Sequence, residues 1–475
     1  MQNNLNNLEL NKIIERFENI EKNLKLDESR ISGVPWWDLI RYPLFEELLK
    51  KKSNFDKKEF FFHNYLIKKL INIKRFLKDL STLFSRKSAL WVKNNSIILW
   101  GNPRRKKENN FYIDIYSEPF IKLFKNKGNF VIIEKEIGFG HYEPTQNKNL
   151  YYGDQLFALA HLFSFFKISI FKKKELLIIS ELERQIYKSY SVKIDILKLA
   201  KNKIKRWLVI YPFMKSFFKY KKIKGFITAG ISENEAIIAA AKSLGITTLD
   251  LQHGSYARGK MNYDHTSAIK NSSFPNFVLT FGNFWSSKFS FPIPENKLIS
   301  FGYPHLNEKY DKYSHIKKEN RLLIVSQGLE QIESGLVEFA LKAKDFFPKN
   351  LIVEFRPHPS SFFKKKSNYF KKLRDNNVLI SNKDADLYES FAKSRWQVGV
   401  YSTTLYEGLK FSVACFVLQI DRYQFMQELV DQNLARYIKS PKDINLNWRL
   451  DNKKFNDFFS DISQKKINKV LSLFK

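Results

Sequence analysis

Residues 225–256 read GFITAGISENEAIIAAAKSLGITTLDLQHGSY, and the reading of this stretch decides the fold. The apolar run 226–229 reads as a buried strand. A Gly-Ile-Ser turn follows, with Ser232 placed as a helix N-cap, and 233–243 reads as an Ala-rich helix that Gly245 ends. Residues 246–251 form a second strand, so the pattern is a β-α-β unit. The second strand runs straight into Gln252-His253-Gly254-Ser255. In open α/β sheets ligands bind outside the carboxyl ends of the strands, so His253 stands where chemistry is expected.

Further strands flank this unit. Upstream, 96–101 (SIILWG) and 129–134 (NFVIIE) read as strands, with a basic loop at 102–107 and a helix over 111–125 between them. The apolar segment 156–171 is too short and too interrupted to span a bilayer, and helical pattern continues to about residue 222. Downstream, 277–281 is a strand, 299–303 (ISFGY) precedes Pro304, and the Lys- and Tyr-rich stretch 309–320 reads as a linker. A second series begins at 321–326, with strands at 350–355, 377–381, 397–401 and 414–420, helices between them, and a basic helical end. The fold class expected is α/β: two Rossmann-like domains, 91–308 and 321–475, preceded by a basic helical extension over 1–90.

The chain has 475 residues, 44% of them hydrophobic, which supports sizeable cores. Its 81 Lys and Arg against 48 acidic residues give a net charge of +33, which favours anionic partners. A single cysteine, Cys415, excludes an internal disulfide and a cysteine-cluster zinc site. The polar start does not read as a signal peptide, and no run of about 18 apolar residues occurs. The expected location is the cytoplasm. Residues 59–87, where Phe, Leu and Ile alternate with Lys and Arg, are the candidate for contact with an anionic membrane surface. The basic residues are spread along the chain without a nucleic-acid-binding motif, so no nucleic-acid partner is expected.

In the second half three strands end in polar clusters: Ser326-Gln327-Gly328, Arg356-Pro357-His358-Pro359, and Ser402-Thr403-Thr404 at the start of a helix. Backbone N–H groups and the helix dipole at such a start favour an anion, and hydroxyls add donors. His358 is stiffened by its two prolines and can donate to a phosphoryl oxygen. Glu407, one turn into the same helix, suits ribose hydroxyls. Together the clusters point to a nucleotide phosphate site made of Gln327, Gly328, Arg356, His358, Pro359, Ser402, Thr403, Thr404 and Glu407. Asp384-Ala385-Asp386 has the DxD form but reads as a helix cap, so neither a metal nor another cofactor is expected.

The two-halved layout, with Gln252-His253-Gly254, Arg356-Pro357-His358-Pro359 and Ser402-Thr403-Thr404 in that order, resembles the GT-B glycosyltransferases of bacterial surface-polysaccharide biosynthesis. It is similar to CDP-glycerol glycerophosphotransferases, capsular Kdo transferases and GT-B sialyltransferases over residues 225–420. The resemblance implies a cleft between the halves and an inverting transfer from a CMP- or CDP-type nucleotide-sugar donor. The acceptor it implies is a glycan or a lipid-linked molecule. The His-Pro and Ser/Thr motifs would contact the donor phosphate. The stretch Asp-Leu-Gln-His-Gly departs from the paired acidic residues that sialyltransferases carry before Gly. By position His253 is the catalytic base, with Asp250 and Glu233 as reserves. Polyol-phosphate transfer and UDP-sugar epimerisation on the same fold, or a scaffold in an assembly complex, are the alternatives.

Overall fold

The computed structural model describes residues 7–52, 78, 81–124, 127–136, 140–162, 171–265, 272–358, 361, 367–382, 384–450 and 457–474. The candidate site residue Pro359, most of the amphipathic stretch 59–87 and residues 163–170 lie outside them.

Apolar runs buried on both faces form parallel strands. The first sheet holds β1 (Ile97–Trp100), β4 (Phe130–Glu134), β5 (Leu150–Tyr152), β6 (Gly225–Thr228), β7 (Thr247–Leu251), β8 (Phe277–Thr280) and β9 (Leu298–Ser300). Their order is β5-β4-β1-β6-β7-β8-β9, parallel throughout. A small antiparallel hairpin, β2 (Arg105–Glu108) and β3 (Phe111–Asp114), follows β1. The second sheet holds β10 (Arg321–Val325), β11 (Ile352–Arg356), β12 (Leu379–Ile380), β13 (Trp396–Gly399), β14 (Ala414–Leu418) and β15 (Ala435–Ile438). Its order is β12-β11-β10-β13-β14-β15, also all parallel. Both sheets therefore grow outward from their first strand and then reverse. The switch points lie between β1 and β6 and between β10 and β13, where a ligand crevice opens.

The β-α-β unit is present, with its helix at Glu235–Lys242. Asn234, not Ser232, occupies the N-cap position, and Gly245 takes φ +71° as the chain leaves the helix. Three expectations need correction. The helix expected over 111–125 is β3 followed by the short helix Ser117–Lys122, because the register pairs Arg105 with Asp114 and Lys107 with Tyr112 across the hairpin. The linker expected at 309–320 is partly the helix Pro304–Tyr313, whose Lys309 is buried. The chain end, assigned with 321–475, returns to the first sheet. Trp285 Nε1 donates to the Phe458 carbonyl at 2.8 Å, Ser460 N donates to the Phe281 carbonyl at 2.7 Å, and the Phe474 ring closes on Gly225.

The N-terminal helices Asn7–Asn23 and Trp36–Lys52 pack on Lys173–Tyr190 and Ile196–Tyr220 through a separate core that includes Phe17, Trp36, Trp37, Phe45, Leu182 and Ile204. A buried pair anchors them. Arg41 meets Glu21 at 2.9 Å and donates to the carbonyls of Met261 and Asp264 at 2.5 and 2.8 Å. The extension thus grips the loop that follows His253.

Candidate functional site

The carboxyl ends of both sheets open onto one cavity of 1680 Å³. Ligand pockets typically measure about 300–1,000 Å³, so this one has room for two substrates together.

On the second half, the chain leaves β13 at Gly399 and reaches Ser402, which caps the helix Thr403–Lys410. Its Oγ accepts from Thr404 N at 3.3 Å and from Thr404 Oγ1 at 2.6 Å, which leaves the Ser402 hydroxyl proton to donate. Arg356, at the end of β11, donates from Nη2 to the Ala385 carbonyl at 2.6 Å, while Nη1 is buried without a hydrogen-bond partner among the described residues. His358 lines the same cavity. Glu407 is buried, and burial pushes its carboxyl up against the opposing hydrogen bond from Tyr388 and the charges of Arg104 and Lys106.

Gln327 borders the cavity, and its amide is held by the backbone of Tyr401. It donates to the Tyr401 carbonyl at 2.5 Å and accepts from Tyr401 N at 3.0 Å, clamping the end of β10 to the end of β13. Gly328 is buried at φ +71° and does not line the cavity, so it shapes the turn rather than meeting a ligand. Asp386 caps the helix Leu387–Lys393, as the capping reading of the DxD form expected. It also meets Lys106 at 2.8 Å and Lys309 at 3.0 Å, a bridge between the hairpin and the second half.

On the first half, His253 follows β7 and lines the cavity. Its ring lies against Gly230, where a Cβ would stand 3.1 Å from Cε1; Gly230 takes φ +108°. Its Nδ1 is buried without a partner among the described residues. Burial, with Arg104 and Lys260 nearby, pushes the imidazole down to about 3, so the ring is neutral at physiological pH. The reserve bases are elsewhere. Asp250 is fully buried beneath this loop, accepting from Gly230 N and from the Tyr263 hydroxyl, both at 2.8 Å. It supports the turn under His253 and does not reach the cavity. Glu233 sits outside the cleft on a φ of +69°, paired with Lys203 and Arg206.

The two halves touch where the candidate groups meet. Ser255 N donates to Thr403 Oγ1 at 2.8 Å, and a Cβ on Gly254 would stand 3.3 Å from the same oxygen. His253, Arg356, His358, Ser402, Thr403, Thr404 and Glu407 thus share one cavity.

Two cations there were missed by the sequence reading. Arg104 lies in the basic loop 102–107, to which no site role was given. Asn102 moulds that loop: its side chain bonds the Ala229 carbonyl at 2.8 Å and accepts Arg104 N at 2.9 Å. Arg104 then projects into the cavity and donates to the Tyr116 hydroxyl at 3.1 Å, which itself donates to the His253 carbonyl at 2.7 Å. The available signal was its place just after a strand at the switch point. Lys260 donates to the Ser255 carbonyl, and burial holds its ammonium down at about 8.

No protein-family model matches the sequence, and no curated protein is found similar to it. Among solved structures the chain is similar to the UDP-GlcNAc 2-epimerase of Methanocaldococcus jannaschii in complex with UDP-GlcNAc and UDP, at 13% identity over 79% of this chain and 99% of that one, TM-score 0.44. It is similar to MurG of Acinetobacter baumannii at 12% identity over 80% and 99% of the two chains, TM-score 0.40. It is similar to the wall teichoic acid polymerase TagF at 11% identity over 86% and 95%, TM-score 0.42. The fold is GT-B. Two parallel sheets of Rossmann strand order open their carboxyl ends onto one cleft, with a helical N-terminal part, as the sequence led us to expect. Among the described residues no helix is long and apolar enough to cross a membrane.

Proposed function

We propose that the protein is a metal-independent glycosyltransferase of bacterial surface-polysaccharide synthesis. It moves a sugar from a nucleotide-activated donor, CMP- or CDP-type favoured, to a glycan or lipid-linked acceptor. The single observation that carries this reading is the contact between Ser255 and Thr403, which sets the neutral imidazole of His253 beside a capped helix N-terminus. In this reading 91–308 is the acceptor half and the second sheet carries the donor. His253 takes the proton from the acceptor hydroxyl as that oxygen attacks the anomeric carbon. The bond between sugar and phosphate breaks, and its electron pair leaves with the nucleotide phosphate. Ser402, Thr403 and Thr404 with the helix N-terminus receive that charge, joined by Arg356, His358 and Arg104. Glu407 accepts from the ribose hydroxyls. The working place is the cytoplasm, at the inner face of the membrane.

The test is turnover of a panel of nucleotide sugars with glycan acceptors. Free nucleotide and a lengthened glycan are expected, at a rate unchanged by EDTA. An isomerised nucleotide sugar with no glycan product, or activity lost in EDTA and restored by magnesium or manganese, would contradict the proposal.

A further inference from the structure

The acceptor side of the cavity carries a feature that the transfer chemistry does not use. Tyr112 of β3 and Tyr142 both line it, their ring centroids 4.9 Å apart and their planes inclined by 34°. The pair is held in place from behind, because Tyr112 N donates to the Pro144 carbonyl at 2.9 Å and so ties the loop carrying Tyr142 to the hairpin. Both rings are half-buried, and among the described residues neither hydroxyl has a hydrogen-bond partner. Two fixed, partly exposed rings in this cavity form a platform. The C–H face of a pyranose stacks on such a surface, while its hydroxyls remain free to bond at the rim.

Charge beside the platform narrows the class of sugar. Lys107 stands directly across the ladder from Tyr112, so the two side chains share a face of the hairpin. Lys107 is exposed and lines the cavity. The carboxylates next to the platform in the chain are paired with other cations: Glu108 meets Lys309 at 2.7 Å, and Glu143 meets Lys87 at 2.9 Å. A cation next to a stacking platform, with the nearby acids already paired, suits a sugar that carries its own negative charge.

We propose that Lys107, Tyr112 and Tyr142 form a binding subsite for an acidic sugar residue, a uronic or sialic acid unit, of the acceptor glycan. The proposal rests on the reading that the first half receives the acceptor.

The experiment uses the full chain and a printed panel of synthetic tetrasaccharides, half with uronic or sialic acid residues and half their neutral counterparts. Calorimetry follows on the members that bind. Binding is expected for acidic members only. Tyr112→Ala and Tyr142→Ala should each weaken it by about tenfold, whereas Tyr112→Phe keeps the ring and the affinity. Lys107→Gln should reduce the preference for acidic over neutral members. Melting temperatures identify any variant that fails to fold, and Tyr112→Phe against wild type at two salt concentrations then serves in its place. No binding to any member, equal binding of acidic and neutral members, or unchanged affinity in both folded alanine variants would overturn the subsite. So would farnesyl diphosphate binding that those variants abolish while no saccharide binds. CDP and CMP are titrated on the same samples. Nucleotide bound without saccharide removes the subsite and leaves the transferase reading, and saccharide bound without nucleotide does the reverse.

Discussion

A neutral histidine is ready to accept a proton, but one held down to about 3 is a feeble base until something raises it. On the proposed reading the donor would do so at His253. Burial is the larger cause of the depression; Arg104 and Lys260 add to it, and a bound phosphate would offset those two charges. Donor binding and base strength are thereby coupled. His253→Ala is expected to lower kcat by about 10²–10⁴-fold with donor affinity nearly unchanged, measured by steady-state rates and calorimetry. Activity needs the neutral ring and falls as pH drops through its pKa. The acid limb of kcat, which reports the complex, should therefore lie at higher pH than that of kcat/KM, which reports the free enzyme. Coincident limbs would remove the coupling. Asp250 illustrates what a sequence conceals. Its position beside the His-Gly turn made it a reserve base, yet burial pushes its carboxyl up to about 7, and its oxygens serve Gly230 and Tyr263. Asp250→Ala leaves both donors buried and unpaired. It should cost about 1–3 kcal/mol in urea unfolding, and an unchanged midpoint would refute the supporting role.

Elements were legible where periodicity was long and strong. The strands over 97–100, 130–134, 225–228 and 321–325 are mostly apolar, and their parallel pairing follows from burial on both faces. The hairpin after β1 was not legible, because its basic residues are satisfied by contacts distant in sequence. Arg105 is buried among Asp114, Glu118 and Glu134, which no local pattern announces. Short edge strands β5 and β15 were missed for want of alternation. The first of these shares a buried cluster with its neighbours. His141 stacks on Tyr152 at 3.5 Å between centroids and bridges Glu134 at 2.8 Å and Asp154 at 2.6 Å. Burial opposes its charge, but the hydrogen bonds to Asp154 and Glu134 outweigh burial and push it up to about 9. The folded value lies above the ordinary one near 6.5. Its contribution, on the order of 3 kcal/mol at most, is therefore full below pH about 6.5 and lost as pH rises through about 9. Thermal unfolding between pH 6 and 10 should show this loss, and His141→Gln should flatten it. A variant that keeps the same pH dependence would place the titration elsewhere.

Across the whole molecule, the sequence revealed two halves and the order of their motifs, but not how the halves meet. Thr403 was read as a phosphate ligand, and it also accepts from Ser255 in the other half. Asp386 was read as a cap, and it also bridges to Lys106 across the cleft. The N-terminal extension was read as a basic appendage, and it proves to hold the 261–264 loop through Arg41 and to reach Arg422 through Glu46. Such contacts join residues far apart in the chain, so composition and spacing leave no trace of them. What composition did convey is the positive charge of the site: Arg104, Lys106, Lys107, Lys260, Arg356 and Arg422 all line the cavity.

On the proposed reading a nucleotide phosphate binds where the helix Thr403–Lys410 begins. Titration calorimetry of CMP, CDP, UDP, GDP and dTDP into the wild-type chain and into the Ser402→Ala, Thr403→Ala double variant tests it most directly. Binding of at least one nucleotide is expected, with a CMP or CDP preference and a loss of about tenfold or more in the variant while its melting temperature stays close to wild type. Equal affinity in the two proteins would contradict the assignment of the site, and no heat with any nucleotide would contradict the claim itself.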